Sequence, residues 1–369
     1  MNLFWIMIVA LAVSLAQAVL FNRLGLYKIG YTRHFSKPCA NEGDRVELVE
    51  IIQNAKLLPV PWLRAESRIS PNLRFSRDAA SEERQISANR YHRSNFFLAP
   101  FSQIRRRHSV TCLKRGHYEA GSVVLAAGDL FALTQREKQL NMPCAIDVYP
   151  RLLSEDELDA PCTRWQGELM VKRWIMPDPF MTSGVRDYRA GDPMRDIHWR
   201  ATARTGALQV KIRDYTADPR MMVILNVQNS ELQWGNLMDY EQEGIEQGIR
   251  IAATLCLRAL ASGVEAGFAS NGCLYGEEGS GRCVLLPSRG GSEQSEILLQ
   301  TMARLEIHKE KPFETYLDSL GDLCGEDILI LSTYDSEKIR VCMDNLRRQG
   351  NSVTFMQLER GSRNHAESH

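Results

Sequence analysis

The sequence lacks the short motifs by which common enzymes are recognised. It has no G-x-x-x-x-G-K-[ST] loop, no H-E-x-x-H and no G-x-S-x-G, which excludes a standard ATP cradle, a zincin site and a nucleophile elbow. The eight histidines are dispersed. Neither an activated nucleophile nor a paired general acid and base can be identified, so the sequence predicts a protein that is not an enzyme.

Net charge and clustered cysteines are missing too. The 45 Lys and Arg residues balance 45 Asp and Glu residues, whereas a dedicated nucleic-acid binder is usually basic. Nucleic acid is therefore not an expected partner. The nine cysteines include no C-x-x-C pair, which argues against a zinc site or a disulfide framework and favours a reducing compartment.

The N-terminal stretch from Leu3 to Phe21 carries no charge over 19 residues. As a helix it would be ~28 Å long, close to the thickness of a bilayer core. A signal peptide is the alternative, because "AQA" at 16–18 resembles a cleavage site. Basic residues only follow the stretch, so the positive-inside rule predicts a single-pass anchor with a cytoplasmic body.

The remaining chain divides by pattern. Alternating stretches such as "RVELVEIIQN" predict an antiparallel β-sandwich over 44–150. Apolar strands that alternate with helices predict an α/β domain over 215–359 with a parallel sheet. The predicted helices include "MDYEQEGIEQGIRIAATLCLRALASG" (238–263) and "SEQSEILLQTMARLEI" (292–307). The full expected order is an anchor over 1–22, a juxtamembrane linker over 23–43, the sandwich, a connector over 151–182, a distinctive segment over 183–214, the α/β domain, and a loose tail over 360–369.

The distinctive segment contains "SGVRDYRAGDPMRDIHWRATARTGALQVK", residues 183–211. Asp192 and Pro193 are expected to cap and start a short helix that "TG" at 205–206 ends. The stretch "ALQVKIRDY" after it alternates as a strand that is expected to enter the α/β sheet. Residue types favour internal Arg–Asp pairing, with Tyr188 and Trp199 in a hydrophobic seam. The alternative is an anion or partner site with outward arginines. The candidate site residues are Arg186, Asp187, Tyr188, Gly191, Asp192, Arg195, His198, Trp199, Arg204 and Lys211.

This segment resembles the signature of the domain-of-unknown-function-58 family, and the resemblance extends to "NEGDRVELVEIIQNAKLLPVPWL", "RRHSVTCLKRGHYEAGSVVLAAGDLFAL" and "MMVILNV". It implies membrane helices, a β-rich region and a von Willebrand A-like (Rossmann-like) domain. It also implies a MoxR-type AAA+ ATPase partner, an association with transglutaminase-like membrane proteins, and a chaperone-like role in protein assembly. Asp187 stands where the family usually has Glu, and one membrane helix is found where members often have two.

Von Willebrand A domains often bind a divalent cation through Asp-x-Ser-x-Ser after the first strand. The matching positions here are Asn226, Gln228 and Ser230, and only the last fits. Hard cations need oxygen ligands and a compensating carboxylate. The sequence therefore predicts a degenerate site and no cofactor, with at most weak Mg²⁺ or Mn²⁺ binding.

These observations favour a membrane-anchored, non-enzymatic adaptor or scaffold that acts with a MoxR-type ATPase. One alternative is an enzyme or anion-binding protein in which Arg186, Arg195 and Arg204 hold an anionic group and His198 or Asp192 moves protons. A further alternative is an outward-facing cell-envelope binding protein. Membrane lipid is an expected partner. The basic run 105–107 either faces anionic lipid or is a solvated strand.

Overall fold

The computed structural model describes residues 3–76, 81–86, 89–129, 135–158, 164, 165, 167, 182–189, 192–213, 220–233, 235 and 237–359. The chain forms two compact units, which we call the sandwich unit (Met1–Arg151) and the α/β unit (Leu152–His369). The expected tail over 360–369 lies outside the described residues, as does most of the expected connector.

The N-terminal apolar stretch is a single helix, α1 (Leu3–Leu24). Its segment Trp5–Leu24 is long and apolar enough to cross a membrane, and only 11% of the most apolar window is buried. Ala18 and Phe21, near its carboxyl end, are buried. By length and composition this helix is a candidate membrane anchor or signal sequence.

The juxtamembrane linker predicted over 23–43 is wrong, because the first two strands already occupy it. The chain turns through Lys28, at a positive φ of 49°, and strand β1 starts at Ile29. The Lys56 ammonium reaches back and donates to the carbonyl oxygens of Leu24, Gly25 and Tyr27 at 2.7, 2.5 and 3.0 Å. Helix and strands are thus joined by a tight turn that a lysine caps.

The sandwich unit is built almost wholly of antiparallel pairs, as the alternating pattern predicted. The strands are β1 (Ile29–Phe35), β2 (Cys39–Asn41), β3 (Arg45–Asn54), β4 (Val60–Ile69), β5 (Leu73–Phe75), β6 (Ser81–Ile86), β7 (Asn89–Leu98), β8 (Gln103–Cys112), β9 (Gly116–Glu119), β10 (Ser122–Gly128), β11 (Gln135–Asn141) and β12 (Ala145–Tyr149). They form sheets of order β1-β3-β8-β5, β11-β10-β4-β7-β6 and β2-β12-β9. Only β2 and β12 pair in parallel among these.

The first two sheets share an apolar core that contains a charged cluster. Glu50 on β3 accepts from the Tyr31 hydroxyl at 2.9 Å and contacts His108 Nε2 at 3.0 Å. Its Oε1 lies 3.6 Å from Arg33 Nε, and Arg33 also donates to Ser67 on the facing sheet at 2.8 Å. Burial by itself raises the pKa of Glu50, but the His108 hydrogen bond and the nearby charge of Arg33 lower it to about 2.

The α/β unit contains a five-stranded sheet of order β18-β16-β15-β20-β21. Its strands are β15 (Arg220–Leu225), β16 (Glu265–Ser270), β18 (Val284–Arg289), β20 (Asp327–Ser332) and β21 (Ser352–Gln357), and the helices are α3 (Asp239–Ala261), α4 (Ser292–Arg304), α5 (Phe313–Ser319) and α6 (Glu337–Arg348). All neighbours in this sheet are parallel except β18, which is antiparallel to β16. The α/β architecture predicted from the alternating pattern is confirmed at this level.

Both faces of this sheet are covered, which explains the unbroken apolar run in β15. Met221, Val223 and Leu225 pack in a core that includes α3 and α4 residues. Met222 and Ile224, between them, pack in a second core with α5 and α6 residues. Period-two side chains therefore alternate between two buried layers, as in other buried parallel strands.

Two details of this unit differ from the sequence expectations. The helix predicted over "SEQSEILLQTMARLEI" ends at Arg304, because Leu305–Lys309 forms strand β19 and pairs with β17 (Gly272–Leu274). In the connector, Leu153, Leu158 and Trp165 are buried in the core that contains α3. Three of its apolar side chains therefore pack on the α/β core, while most of its other described residues are exposed.

We predict that acid destabilises the sandwich unit through His92, which stacks on Phe75 at 4.6 Å. Burial lowers the pKa of His92 to about 4; nearby Glu50 opposes this shift, while His108, Arg33 and Arg106 add to it. Since the unfolded chain takes up this proton at higher pH than the folded chain, stability falls as pH drops from 6.5 to about 4, by up to about 3 kcal/mol. Glu50 adds a further loss below pH 4.5.

The measurement is hydrogen exchange of β7 amides in the full-length protein in detergent, corrected for intrinsic rates. His92→Gln should remove the loss of protection between pH 6.5 and 4.5, the range above the one in which Glu50 contributes. His34→Gln, at an exposed histidine on β1, serves as the control and should retain it. An unchanged pH dependence in His92→Gln would contradict this assignment.

Candidate functional site

The distinctive segment folds as two antiparallel strands whose connection contains a short helix. We call it the signature hairpin (182–189 and 192–213). Strand β13 (Thr182–Asp187) pairs antiparallel with β14 (Gln209–Arg213). A 3-10 turn at Met194–Asp196 and helix α2 (Trp199–Thr205) lie between them. The expectation that residues after "TG" enter the α/β sheet is wrong, because β14 pairs with β13 in a separate two-stranded sheet.

An arginine and an aspartate fix the first half of the hairpin. Arg186 donates two parallel hydrogen bonds to the two carboxylate oxygens of Asp192, both at 2.7 Å. Asp192 also accepts the backbone N–H of Arg189 at 2.8 Å. These bonds hold the pKa of Asp192 at about 2. The internal pairing favoured from residue types is therefore present for this pair, which has the fork geometry that arginine provides.

The predicted capping of the short helix is wrong in its residue. His198, not Asp192, caps α2, since His198 Nδ1 accepts the N–H of Ala201 at 3.0 Å. Gly206 ends α2 with φ of 72°, as the "TG" break predicted. Asp187 accepts from Gln209 at 2.5 Å, and Tyr188 donates its backbone N–H to Leu208. His198 and Asp192 are thus both engaged in local structure.

The cationic side chains in the second half of the hairpin face outward. Arg195, Arg200, Arg204 and Lys211 are exposed. Within the described part of the chain, none of these four pairs with a carboxylate. Trp199 is 65% exposed, so the predicted hydrophobic seam is wrong for this residue. Gly191, also predicted for the site, lies outside the described residues.

Helix α2 places two of these cations on one face. Arg200 and Arg204 are four residues apart, which puts them next to each other on the helix surface. Like charges in this arrangement destabilise a helix by about 0.2–0.5 kcal/mol. Arg200 was not among the residues predicted for the site, although its i, i+4 spacing from Arg204 was available as a signal.

The degenerate cation positions form a closed network of amides at the carboxyl ends of the parallel strands. We call Asn226, Gln228 and Asn271 the amide edge; all three are buried. Asn226 Oδ1 accepts the N–H of Gln228 at 3.0 Å and its Nδ2 donates to Ser332 at 3.0 Å. Gln228 Oε1 accepts from Asn271 Nδ2 at 3.1 Å and from the N–H of Phe313 at 2.8 Å.

These contacts do not suit a cation. The side-chain oxygens that would be ligands already accept N–H groups, and neither residue supplies a carboxylate. Ser230, the one matching position, is exposed. Thr333 donates to the Gln228 carbonyl at 2.9 Å. The described residues at this edge therefore form a hydrogen-bonded lock around the loops that follow β15, β16 and β20.

The cluster in the sandwich is the other arrangement with metal-ligand spacing. Ligand atoms of Glu50, His92 and His108 all lie within 4.8 Å of one another. The Arg33 guanidinium, however, is already beside the carboxylate, and a second cation there would face its positive charge. His92 Nε2 is also shared with Ser94 at 3.1 Å. We interpret this cluster as a structural ion-pair network.

The signature hairpin, which carries many charged residues, is followed along the chain by the mostly parallel sheet of the α/β unit. The family model for a protein of unknown function, DUF58, matches residues 184–323, which covers the hairpin from Gly184 and most of the α/β unit. The match bears out the resemblance of the signature segment over residues 184–323, where the chain is similar to the DUF58 family.

No curated protein matches the chain. Similar solved structures include a CARDB domain from Pyrococcus furiosus, at 10% identity over 32% of this chain and 93% of that chain, with a TM-score of 0.21. A cohesin from Archaeoglobus fulgidus has 9% identity over 34% and 94%, with a TM-score of 0.21. A cohesin module from Clostridium perfringens has 10% identity over 32% and 97%, with a TM-score of 0.20. These scores are too low to support a functional argument.

We predict that Arg186 and Asp192 stabilise the hairpin as a unit. Arg186→Ala and Asp192→Asn should each speed hydrogen exchange in β13 and β14, and the double variant should be little worse than Asp192→Asn alone, because the pair acts together. Arg195→Ala is the control and should leave protection unchanged. Loss of the hairpin in Arg195→Ala would show that this arginine is structural.

We also predict that the amide edge is required for stability. Gln228→Ala leaves the buried donors of Phe313 and Asn271 without their acceptor, which should cost about 1–3 kcal/mol per donor. Ser230→Ala, at an exposed neighbour, should be nearly neutral. Denaturant unfolding of the α/β unit measures both, and a Gln228→Ala variant as stable as Ser230→Ala would contradict the lock.

Proposed function

We propose that the chain is a membrane-anchored, non-enzymatic adaptor whose signature hairpin binds an acidic surface of a partner protein. The observation that carries the proposal is the exposed Trp199 among Arg195, Arg200, Arg204 and Lys211, none of which is neutralised by a described carboxylate. Tryptophan and arginine are the side chains that most often dominate protein interfaces. A segment that exposes several cations and one aromatic side chain matches acidic protein by charge.

The helix itself supports this direction of binding. The neighbouring charges of Arg200 and Arg204 repel in the free protein, and an anionic partner would relieve that repulsion. Arg186 and Asp192 are occupied with each other, so they position the outward residues rather than contact the partner. His198 caps α2 through its ring nitrogen, which supports a structural role over proton transfer.

The family suggests which partner to test first. A MoxR-type AAA+ ATPase is the partner class that the DUF58 resemblance implies, with a transglutaminase-like membrane protein as a further member of the assembly. The sheet order β18-β16-β15-β20-β21 has the first strand at its centre, which supports a von Willebrand A-like, Rossmann-like domain. In this proposal the domain carries the hairpin, and α1 anchors both to the membrane with the body in the cytoplasm.

We predict that charge on the hairpin controls partner capture. Arg195→Glu combined with Arg204→Glu should abolish crosslinking to the ATPase in native membranes, and Trp199→Ala should weaken affinity at least about tenfold, the effect of losing an interface hot spot. Added salt should weaken binding by the unsubstituted chain, since the exposed charges are screened.

Arg282→Glu is the matched control, because Arg282 is an exposed arginine of the same unit outside the hairpin. It should bind like the unsubstituted chain. Crosslinks that persist through both hairpin substitutions, or equal losses in the control, would count against the hairpin as the contact surface. Recovery of no ATPase from any variant would count against this partner class.

A further inference from the structure

The carboxyl end of α1 is surrounded by two loops of the sandwich unit. Lys56, in the β3–β4 loop, donates to three carbonyl oxygens at this helix end, and the N–H of Ala55 donates to the Lys28 carbonyl at 3.1 Å. The β7–β8 loop joins the same place, since the N–H of Phe101 donates to the Lys56 carbonyl at 3.2 Å. One end of the sandwich is therefore fixed against the helix exit.

These loops expose large apolar side chains. Leu57 is 75% exposed, Phe101 is 71% exposed, and Tyr27, in the turn after α1, is 57% exposed. We call these three residues the apolar rim. Scattered exposed apolar residues are ordinary in proteins. The rim differs because its members lie on backbone segments that are hydrogen-bonded to one another and to one helix end.

The backbone at Phe101 adds an independent observation. Its φ is +47°, a left-handed conformation that glycine or asparagine adopts with least strain. The loop holds this shape through its neighbours: Asn54 Nδ2 and Ser102 Oγ both donate to the Ala99 carbonyl, at 2.9 and 2.7 Å. Contact between the Phe101 ring and an apolar phase would explain why a bulky aromatic residue occupies such a turn and is exposed.

We propose that the apolar rim sits in the boundary between headgroups and acyl chains and seats the sandwich unit on the membrane around α1. The inference rests on the proposed anchoring by α1. It is supported by continuity, because Leu20 and Leu24 of the helix remain exposed up to the rim. Aromatic and aliphatic side chains beside a spanning helix are typical of this boundary.

The nearby charges identify the lipid chemistry. Arg23 and Lys28 flank the helix end and are exposed, and long basic side chains at the end of a spanning helix extend towards the headgroups. Basic residues at this depth attract anionic lipids. The rim is therefore expected to contact phospholipid acyl chains while these two cations contact anionic headgroups.

The test uses the full-length chain in vesicles of phosphatidylcholine and phosphatidylglycerol. The photoreactive residue p-benzoylphenylalanine replaces Leu57 or Phe101, both exposed and thus tolerant of a larger ring. Arg45 is the control position. It is exposed at the opposite end of β3, about 30 Å from the helix exit by strand length. Illumination should give lipid adducts at 57 and 101, found by mass, and none at 45.

The outcomes separate the rim from the anchor. Release of the chain from vesicles by an alkaline wash would contradict anchoring by α1. A chain that resists the wash but gives no lipid adduct at 57 or 101 would contradict the rim while leaving the anchor intact. Adducts between these positions and a second copy of the chain, in place of lipid, would also overturn the proposal.

Discussion

The buried ion pair between Arg33 and Glu50 is the constraint on which the sandwich unit depends. Arg33 and Glu50 are 3% and 2% exposed, and an unpaired charge at such a position costs several kcal/mol. The guanidinium also bonds to Ser67 of the facing sheet, so the pair sets the relative position of the two sheets. Register errors in β1 or β3 would separate the charges, which makes the network a source of specificity as well as stability.

Local patterns were sufficient to predict much of the architecture. The alternation in "RVELVEIIQN" coincides with β3 at both ends, and the helix expected over 238–263 is α3 (Asp239–Ala261). Such patterns do not identify which strands pair with each other. The alternation in β14 was real, yet it does not say which strand will be the neighbour, so its pairing with β13 was missed. The Lys56 cap was missed for the same reason.

The site was predicted in part. Residue types favoured Arg–Asp pairing within the segment, because a guanidinium fork fits a carboxylate, but they did not show that Arg186 would pair with Asp192. The orientation of Trp199 could not be predicted, since a tryptophan after a turn suits a seam and a surface equally well. The amide positions were recognised as degenerate, but their closure depends on Asn271 and Phe313, which are distant in sequence. Because the amide edge is hydrogen-bonded internally, the hairpin that precedes the sheet is the better candidate for a binding site.

The Lys56 cap also constrains the order of events during synthesis. The helix end at Leu24 is made first, and the lysine that satisfies its carbonyl follows 32 residues later. Until β3 and the loop after it have emerged from the ribosome, those carbonyls depend on water. A spanning α1 would therefore reach its place in the bilayer before the sandwich folds, and closure of the cap would mark the point at which the body becomes oriented on its anchor.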